Sequence, residues 1–286
     1  MQTVKIITDS ASDLPEEIFK KYNVSMLPMG IVVGDKTYLD RTELDLHTLF
    51  QIMDENPSCM PKTVMPTAGA IGEEFRKNLH QYKHQIFVSI SSKGSGTYNI
   101  ANMVKNEIEE QSGKPSNITL VDSLSFSAGY GFSVAEMARV AYEGGEFDEV
   151  MEVYYKIREK TEVFLIVDDL KHLQRGGRLN PSVAFVGEML GIKPILTIQD
   201  GLLDSFGKAR GKRRGIEQLA EILLEKVTNP NNTRVWVVHT SAPDDAELLK
   251  QMVLSKITPK DITTAELGPC IGSHTGKGLV GVVFNT

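Results

Sequence analysis

Short apolar runs that end in glycine- and hydroxyl-rich turns, each leading into helical sequence, constrain this chain more than any other feature. Val4 to Thr8 is apolar and β-branched and opens into the polar turn Asp9-Ser10-Ala11-Ser12-Asp13-Leu14-Pro15, ahead of a helix. Ile86 to Ile90 reads as a buried strand that leads into the run Ser89-Ile90-Ser91-Ser92-Lys93-Gly94-Ser95-Gly96-Thr97-Tyr98-Asn99, with helix-forming sequence from Ile100 to Glu110. Ile118 to Val121 starts the pattern again. Val24 to Val33, interrupted by Pro28 and Gly30, is a further strand with an irregular centre. A strand that returns through a helix lays the next strand parallel to it. The first half therefore predicts an α/β domain with a mostly parallel sheet flanked by helices.

The rhythm changes after Phe147 to Lys160, an amphipathic helix. Strands then follow more closely: Val163 to Val167, Ile192 to Gln199, Leu202 to Phe206, Arg234 to His239 and Val280 to Phe284. Asp200-Gly201 between two of them is a hairpin signal. Helices at Ile216 to Lys226 and Ala242 to Ser255 intervene. The boundary falls near residue 160, giving an α/β domain over 1–160 and an α+β domain over 161–286.

Composition excludes several classes of function. A net charge of −6 over 286 residues offers no global positive field for nucleic acid. Cys59 and Cys270 are far apart, which argues against a disulfide framework and for a reducing compartment. Met1 to Asp9 lacks the basic and long apolar regions of a signal peptide. No run approaches the ~18 apolar residues of a membrane span. The expected location is the cytoplasm.

The chemistry sits at strand ends. In parallel sheets the C-terminal ends of strands hold anionic or polar head groups on backbone N–H groups and hydroxyls. The run from Ser89 to Asn99 therefore points to an acidic head group. Thr8-Asp9-Ser10 shares that location, with Asp9 and Asp13 read as turn and capping residues and Asp13 as an N-cap two residues before Pro15. Asp122 to Gly131 is a second hydroxyl-rich turn. Its Gly129 and Gly131 fail the dinucleotide fingerprint because Val134 occupies the third glycine position, so a capped helix with small packing residues is favoured. Gly272-Ser273-His274-Thr275-Gly276-Lys277-Gly278 is not a P-loop, since Gly278 stands where Ser or Thr should bind magnesium. It holds His274 between glycine-rich turns.

Leu173-Gln174-Arg175-Gly176-Gly177-Arg178 and Lys208-Ala209-Arg210-Gly211-Lys212-Arg213-Arg214 are basic segments in an acidic protein. Each reads as a solvated loop or as a local anion or partner site. Cys270 beside His274 could form a thiol nucleophile, but a small apolar cysteine in a glycine turn more often packs. His80 and His84 have the spacing of a helical zinc pair without the required Glu, so no metal is expected.

Taken together, these segments resemble the DegV family. Thr8-Asp9-Ser10-Ala11-Ser12-Asp13-Leu14-Pro15 resembles its opening, and Ser91-Ser92-Lys93-Gly94-Ser95-Gly96-Thr97-Tyr98 its Ser-Gly-Thr-Tyr motif. Leu173 to Leu179 resembles its Arg-Gly-Gly-Arg loop, and Lys208 to Lys212 and Gly272 to Gly278 its later motifs. The matches run in order along nearly the whole chain. The resemblance implies a DegV-like two-domain fold that binds one long-chain fatty acid as its ligand, with no other cofactor. It implies the acyl-carrying subunit of a bacterial fatty acid kinase, which presents the carboxylate to a separate ATP-binding kinase subunit on the way to phospholipid synthesis. The carboxylate would be held by Thr63, Ser95 and His274, with Gly96, Thr97 and Ser127 in nearby loops. Arg175, Arg178 and Arg210, expected to be exposed and mobile, would face the kinase or the phosphate. Two departures stand out: Gly94 replaces a frequent Leu, and Val64-Met65-Pro66-Thr67 replaces Ser-Gln-Pro-Ser.

The residues agree with such a ligand. Hydroxyls, a His N–H and turn amides supply donors for a carboxylate. An apolar tunnel, which the 11 Met and 11 Phe can line, adds roughly 0.8 kcal/mol per buried methylene. The alternative is a hydrolase or phosphotransferase at the same Ser/His cluster. That reading lacks a nucleophile elbow, because Gly94-Ser95-Gly96 has the wrong spacing, and no Walker motif is present to bind ATP.

Overall fold

The computed structural model describes residues 3–57, 60–181, 183 and 191–286. The first half contains β1 (Val4–Asp9), α1 (Glu16–Lys21), β2 (Ser25–Leu27), β3 (Gly30–Val33), β4 (Lys36–Leu39), α2 (Leu46–Glu55) and β5 (Lys62–Val64). It continues with α3 (Ala68–Asn78), β6 (His84–Ser89), α4 (Thr97–Ser112), β7 (Ile118–Asp122), α5 (Ala128–Tyr142) and α6 (Phe147–Lys160).

Four of these strands form the expected parallel sheet, in the order β2-β1-β6-β7. Both of its faces are covered, which is why its strands read as continuous apolar runs. Ile7 and Phe87 point to Phe75, Ala101 and Val104 on α3 and α4. The neighbouring residues Ile6 and Val88 point the other way, to a core shared with α5. The strand expected from Val24 to Val33 is two strands in two sheets. It divides at Pro28, whose missing N–H cannot serve a ladder. The second piece, β3, lies between β4 and β5 in a small antiparallel sheet that the sequence did not announce.

The second half contains β8 (Thr161–Ile166), α7 (Lys171–Gly176), β9 (Ile192–Gln199), β10 (Leu202–Arg210), α8 (Lys212–Lys226) and β11 (Arg234–His239). It ends with α9 (Pro243–Leu254), β12 (Asp261–Glu266), α10 (Pro269–Thr275) and β13 (Val280–Asn285). The sheet order is β10-β9-β8-β13-β11-β12, antiparallel except for β11 with β12. Asp200 and Gly201 both take positive φ, 49° and 81°, and close the expected hairpin.

Helices α8 and α9 cover one face of this sheet through Leu219, Leu223 and Leu249. The other face, with Leu165, Leu196, Trp236, Val238 and Val283, shares its core with the first half. Helix α5 lies at that junction. Tyr130, Phe132, Val134, Met137 and Ala138 are all buried, so it is apolar on more than one side. Phe132 meets Trp236 edge-on at 5.4 Å.

Several local expectations are corrected. Residues 269–275 form a short helix rather than a glycine-rich turn. The Arg-Gly-Gly-Arg segment is partly helical, in α7. Helix α3 ends at Asn78, and His84 opens β6 with its ring 4.7 Å from that of Phe147, so His80 and His84 share no helix. Cys59 lies outside the described residues, while Cys270 is a free, buried thiol. Among the described residues no helix is long and apolar enough to cross a membrane.

Candidate ligand-binding site

Residues of the six-stranded sheet, of the loops that follow β6 and precede α5, of β5 and of α10 enclose a cavity of roughly 260 Å³. Its wall is mainly apolar: Val163 and Leu165 on β8, Ile198 on β9, Leu203 on β10, Val238 on β11 and Val283 on β13. Thr63, Ser95 and His274 all line it, although they lie on three separate parts of the chain. No Asp or Glu belongs to this wall among the described residues.

Each polar group has a local cause. Ser95 lies in the turn after β6, where the N–H groups of Gly94 and Ser95 both donate to Ser91 O at 3.0 Å. Its Oγ lies 2.9 Å from Thr97 Oγ1 and accepts from Thr97 N at 3.3 Å, which orients it at the start of α4. Thr63 is on β5, paired with Ile31 of β3. Its Oγ1 lies 2.8 Å from His274 Nε2. His274 rides on α10, which Pro269 starts at a first-turn position where a missing N–H costs nothing.

The first glycine of the Arg-Gly-Gly-Arg segment has a steric reason, and the second, Gly177, ends α7 at a φ of 69°. A Cβ at Gly176 would lie 2.6 Å from His274 Nδ1, so only glycine lets the imidazole pack against α7. Burial, and then the positive charge of Arg178, lowers the His274 pKa to about 4. The ring is therefore neutral at pH 7. A neutral imidazole and two hydroxyls form a donor set for an anion, with Arg178 as a cation in the same wall.

The remaining candidate residues separate. Gly96 lines the cavity beside Met65, whose Sδ lies 2.8 Å from where a Cβ at Gly96 would sit. Ser127 also lines it, but its hydroxyl donates to Asp13 Oδ2 at 2.5 Å. Thr97 is fully buried behind Ser95, outside the wall, and donates to Met29 Sδ at 3.7 Å. Arg175 on α7 and Arg210 at the end of β10 are exposed and stand away from the lining. Arg178 departs from the expected exposure. It is half-buried in the wall, and its guanidinium donates to Gly94 O at 3.0 Å and to Gly176 O.

The hydroxyl of Ser95 meets Thr97 and the imidazole of His274 meets Thr63, so the two are not hydrogen-bonded to each other as a nucleophile and its base would be. A histidine lowered to about 4 is also a weak base. The Cys270 thiol is pushed well up by burial and the nearby carboxylates, consistent with packing rather than nucleophilic attack.

Sequence reasoning missed the group that supports this site. Asp9, Asp13 and Asp40 are buried. Asp13 is not the N-cap of α1; Pro15 occupies that position. Asp13 Oδ1 accepts from Arg41 and from Gly268 N, each at 2.7 Å. Asp9 accepts from Tyr130 Oη at 2.5 Å and from Ile90 N at 2.8 Å. Asp40 accepts from Ser10 Oγ at 2.6 Å and from Cys270 N at 3.1 Å. Burial pushes the Asp9 and Asp40 pKa values up to about 6. The partners of Asp13 lie up to 255 residues away, so its local sequence could not reveal them.

The model of the DegV family matches residues 3–286. The chain belongs to the DegV family. A DegV domain-containing protein of Clostridium acetobutylicum is 34% identical over 288 residues, covering 99% of both chains. Among solved structures, that of fatty acid binding by a DegV family protein from Thermus thermophilus superposes with a TM-score of 0.90. It shares 28% identity and covers 99% of both chains. A fatty acid binding DegV family protein from Streptococcus agalactiae gives a TM-score of 0.87 at 27% identity, covering 100% of this chain and 99% of that one.

Against the DegV pattern, the Gly94 departure has a visible consequence. A Cβ there would lie 2.5 Å from Phe126 Cε1, so the Phe126 ring occupies the space a leucine would need. Val64 and Met65, the other departures, line the same cavity and are each 43% exposed. Of the wall residues they are the ones that open it to solvent.

Proposed function

We propose that this chain binds one long-chain fatty acid, with the carboxylate at Thr63, Ser95 and His274 and the acyl chain against Val163, Leu165, Ile198 and their neighbours. The observation that carries this is a neutral hydroxyl–imidazole donor set in a mainly apolar cavity that also holds Arg178 and, among the described residues, no acidic side chain. Bound fatty acids in structurally similar DegV proteins support it. The role is carriage rather than catalysis. The chain presents the carboxylate to a separate ATP-binding kinase subunit in the cytoplasm, which supplies the nucleotide and makes the acyl phosphate. Arg178 lies beside the head group, and exposed Arg175 and Arg210 meet the partner or the phosphate. Domains over 1–160 and 161–286 then clasp the ligand between them.

Denaturing mass spectrometry of protein purified from a lipid-replete host tests the core of this reading. Near one fatty acid per chain is expected. No co-purified fatty acid, and none taken up on addition, removes it.

A further inference from the structure

We propose that Asp13 and Asp40 are positioning residues for His274, because they cap from a distance the helix that carries it. This rests on the fatty-acid reading above. The first N–H groups of any α-helix have no partner within it, and a nearby Ser, Thr, Asp or Asn usually supplies one. Helix α10 has no such residue: its N-cap is Gly268, without a side-chain cap. Asp13 takes Gly268 N–H across 255 residues of sequence, and Asp40 takes Cys270 N–H across 230. His274 stands one turn further along the same helix.

The second oxygens reach the rest of the head-group site. Asp13 Oδ2 accepts from Ser127, the residue before α5. Asp40 Oδ2 accepts from Ser10, whose Oγ accepts from Met29 N at 2.9 Å. Met29 lines the cavity, and its sulfur accepts from Thr97, which in turn holds Ser95. Asp40 thus stands behind both His274 and Ser95. Burial of acidic groups beside one arginine, Arg41, is costly, and a local Ser or Asn could cap α10 more cheaply. Tying α10 to the Ser95 loop is what the remote carboxylates add.

The test compares Asp40→Ala and Asp40→Asn with wild type, using a fatty acid and the fatty alcohol of equal chain length. Asp40→Ala should weaken the acid ~10-fold or more, while the alcohol changes by less than ~2-fold. Asp40→Asn keeps an oxygen for Cys270 N–H and should recover most of the loss. In ligand-free protein, the His274 ring resonances, identified by their disappearance in His274→Asn, should shift in Asp40→Ala. Equal weakening of acid and alcohol, or unmoved resonances with unchanged acid affinity, overturns the proposal. If Asp40→Ala does not fold, Asp13→Asn in the same assays decides: a loss of preference for acid over alcohol supports the role, and an unchanged preference overturns it. Wild type that binds neither ligand would sink the fatty-acid reading alone, because the resonance comparison needs no ligand.

Discussion

The cavity at Thr63, Ser95 and His274 and a second cleft on the same protein differ in what lines them. The second, roughly 420 Å³, lies between α1, α5 and the strands β11 and β12. Ile18, Tyr22, Phe132 and Trp236 give it an apolar floor, and Glu17, Glu136, Arg139, Arg234 and Asp261 are among the residues around it. Two of its cations are already matched. Arg234 pairs with Glu136, and Arg139 with Glu136 at 3.4 Å and Glu143 at 2.5 Å. The cavity at Thr63, Ser95 and His274, roughly 260 Å³, has Arg178 in its wall and, among the described residues, no acidic side chain. Size does not choose between them. An acid gains most where donors are present and anionic competitors are absent.

The most severe way to break this contrast is to shorten the ligand. Removing four methylenes should weaken binding by ~3 kcal/mol, measured by competition with a fluorescent acyl analogue. Affinity that stays flat across chain lengths would show that the apolar wall does not receive the tail. Next in size is Ser95→Ala, which removes one hydrogen bond to a charged group and should cost about 1.5–3 kcal/mol in the same titration without unfolding the protein. Arg139→Ala in the second cleft should change acid affinity by less than ~0.5 kcal/mol. Equal effects at the two places would erase the distinction.

Acid titration sharpens it further. The folded His274 pKa, about 4, is below its ordinary value near 6.5, so the unfolded chain binds more protons between these limits. The stabilising share of a neutral His274 is therefore present above about pH 6.5 and is lost as pH falls toward 4. In urea unfolding, the advantage of wild type over His274→Gln should shrink across that window. Asp9 and Asp40, raised to about 6, act in the opposite sense in both proteins and cancel in the difference. A constant gap would show that His274 is not buried as described. The smallest effects belong to Arg175→Ala and Arg210→Ala. Fatty-acid occupancy should stay within ~0.5 kcal/mol of wild type, while acyl-phosphate formation falls when a kinase subunit and ATP are supplied. Full phosphorylation in both variants would remove the docking role.

How much of this was legible in the sequence depended on range. The parallel sheet was, because apolar strand, hydroxyl turn and helix are adjacent at Val4, Ile86 and Ile118. The Asp200-Gly201 hairpin was, because two residues decide it. Strands β5 and β12 were not, since Lys62–Val64 is three residues and Asp261–Glu266 is mostly polar. Their partners, not their composition, make them strands. Helix α10 was hidden by Gly272 within it and by Gly268 and Gly276 at its ends; Gly272 serves close packing against Leu46 and Phe50. Asp13 matched the local statistics of a cap, yet its carboxylate caps a different helix. Thr63 and His274, 211 residues apart, became neighbours in prospect only through the family resemblance.

The cap that Asp13 and Asp40 supply from a distance also has a consequence in time. Ribosomes add roughly 5–20 residues per second, so about 12–46 seconds separate the synthesis of Asp40 from that of Cys270, its partner 230 residues later. For most of that interval, once Ser95 has been made, the hydroxyls of Thr63 and Ser95 exist without the His274 imidazole that Thr63 meets in the folded protein. A nascent chain can build its first sheet early, but the three side chains proposed to hold a carboxylate can meet only after residue 274 has been made.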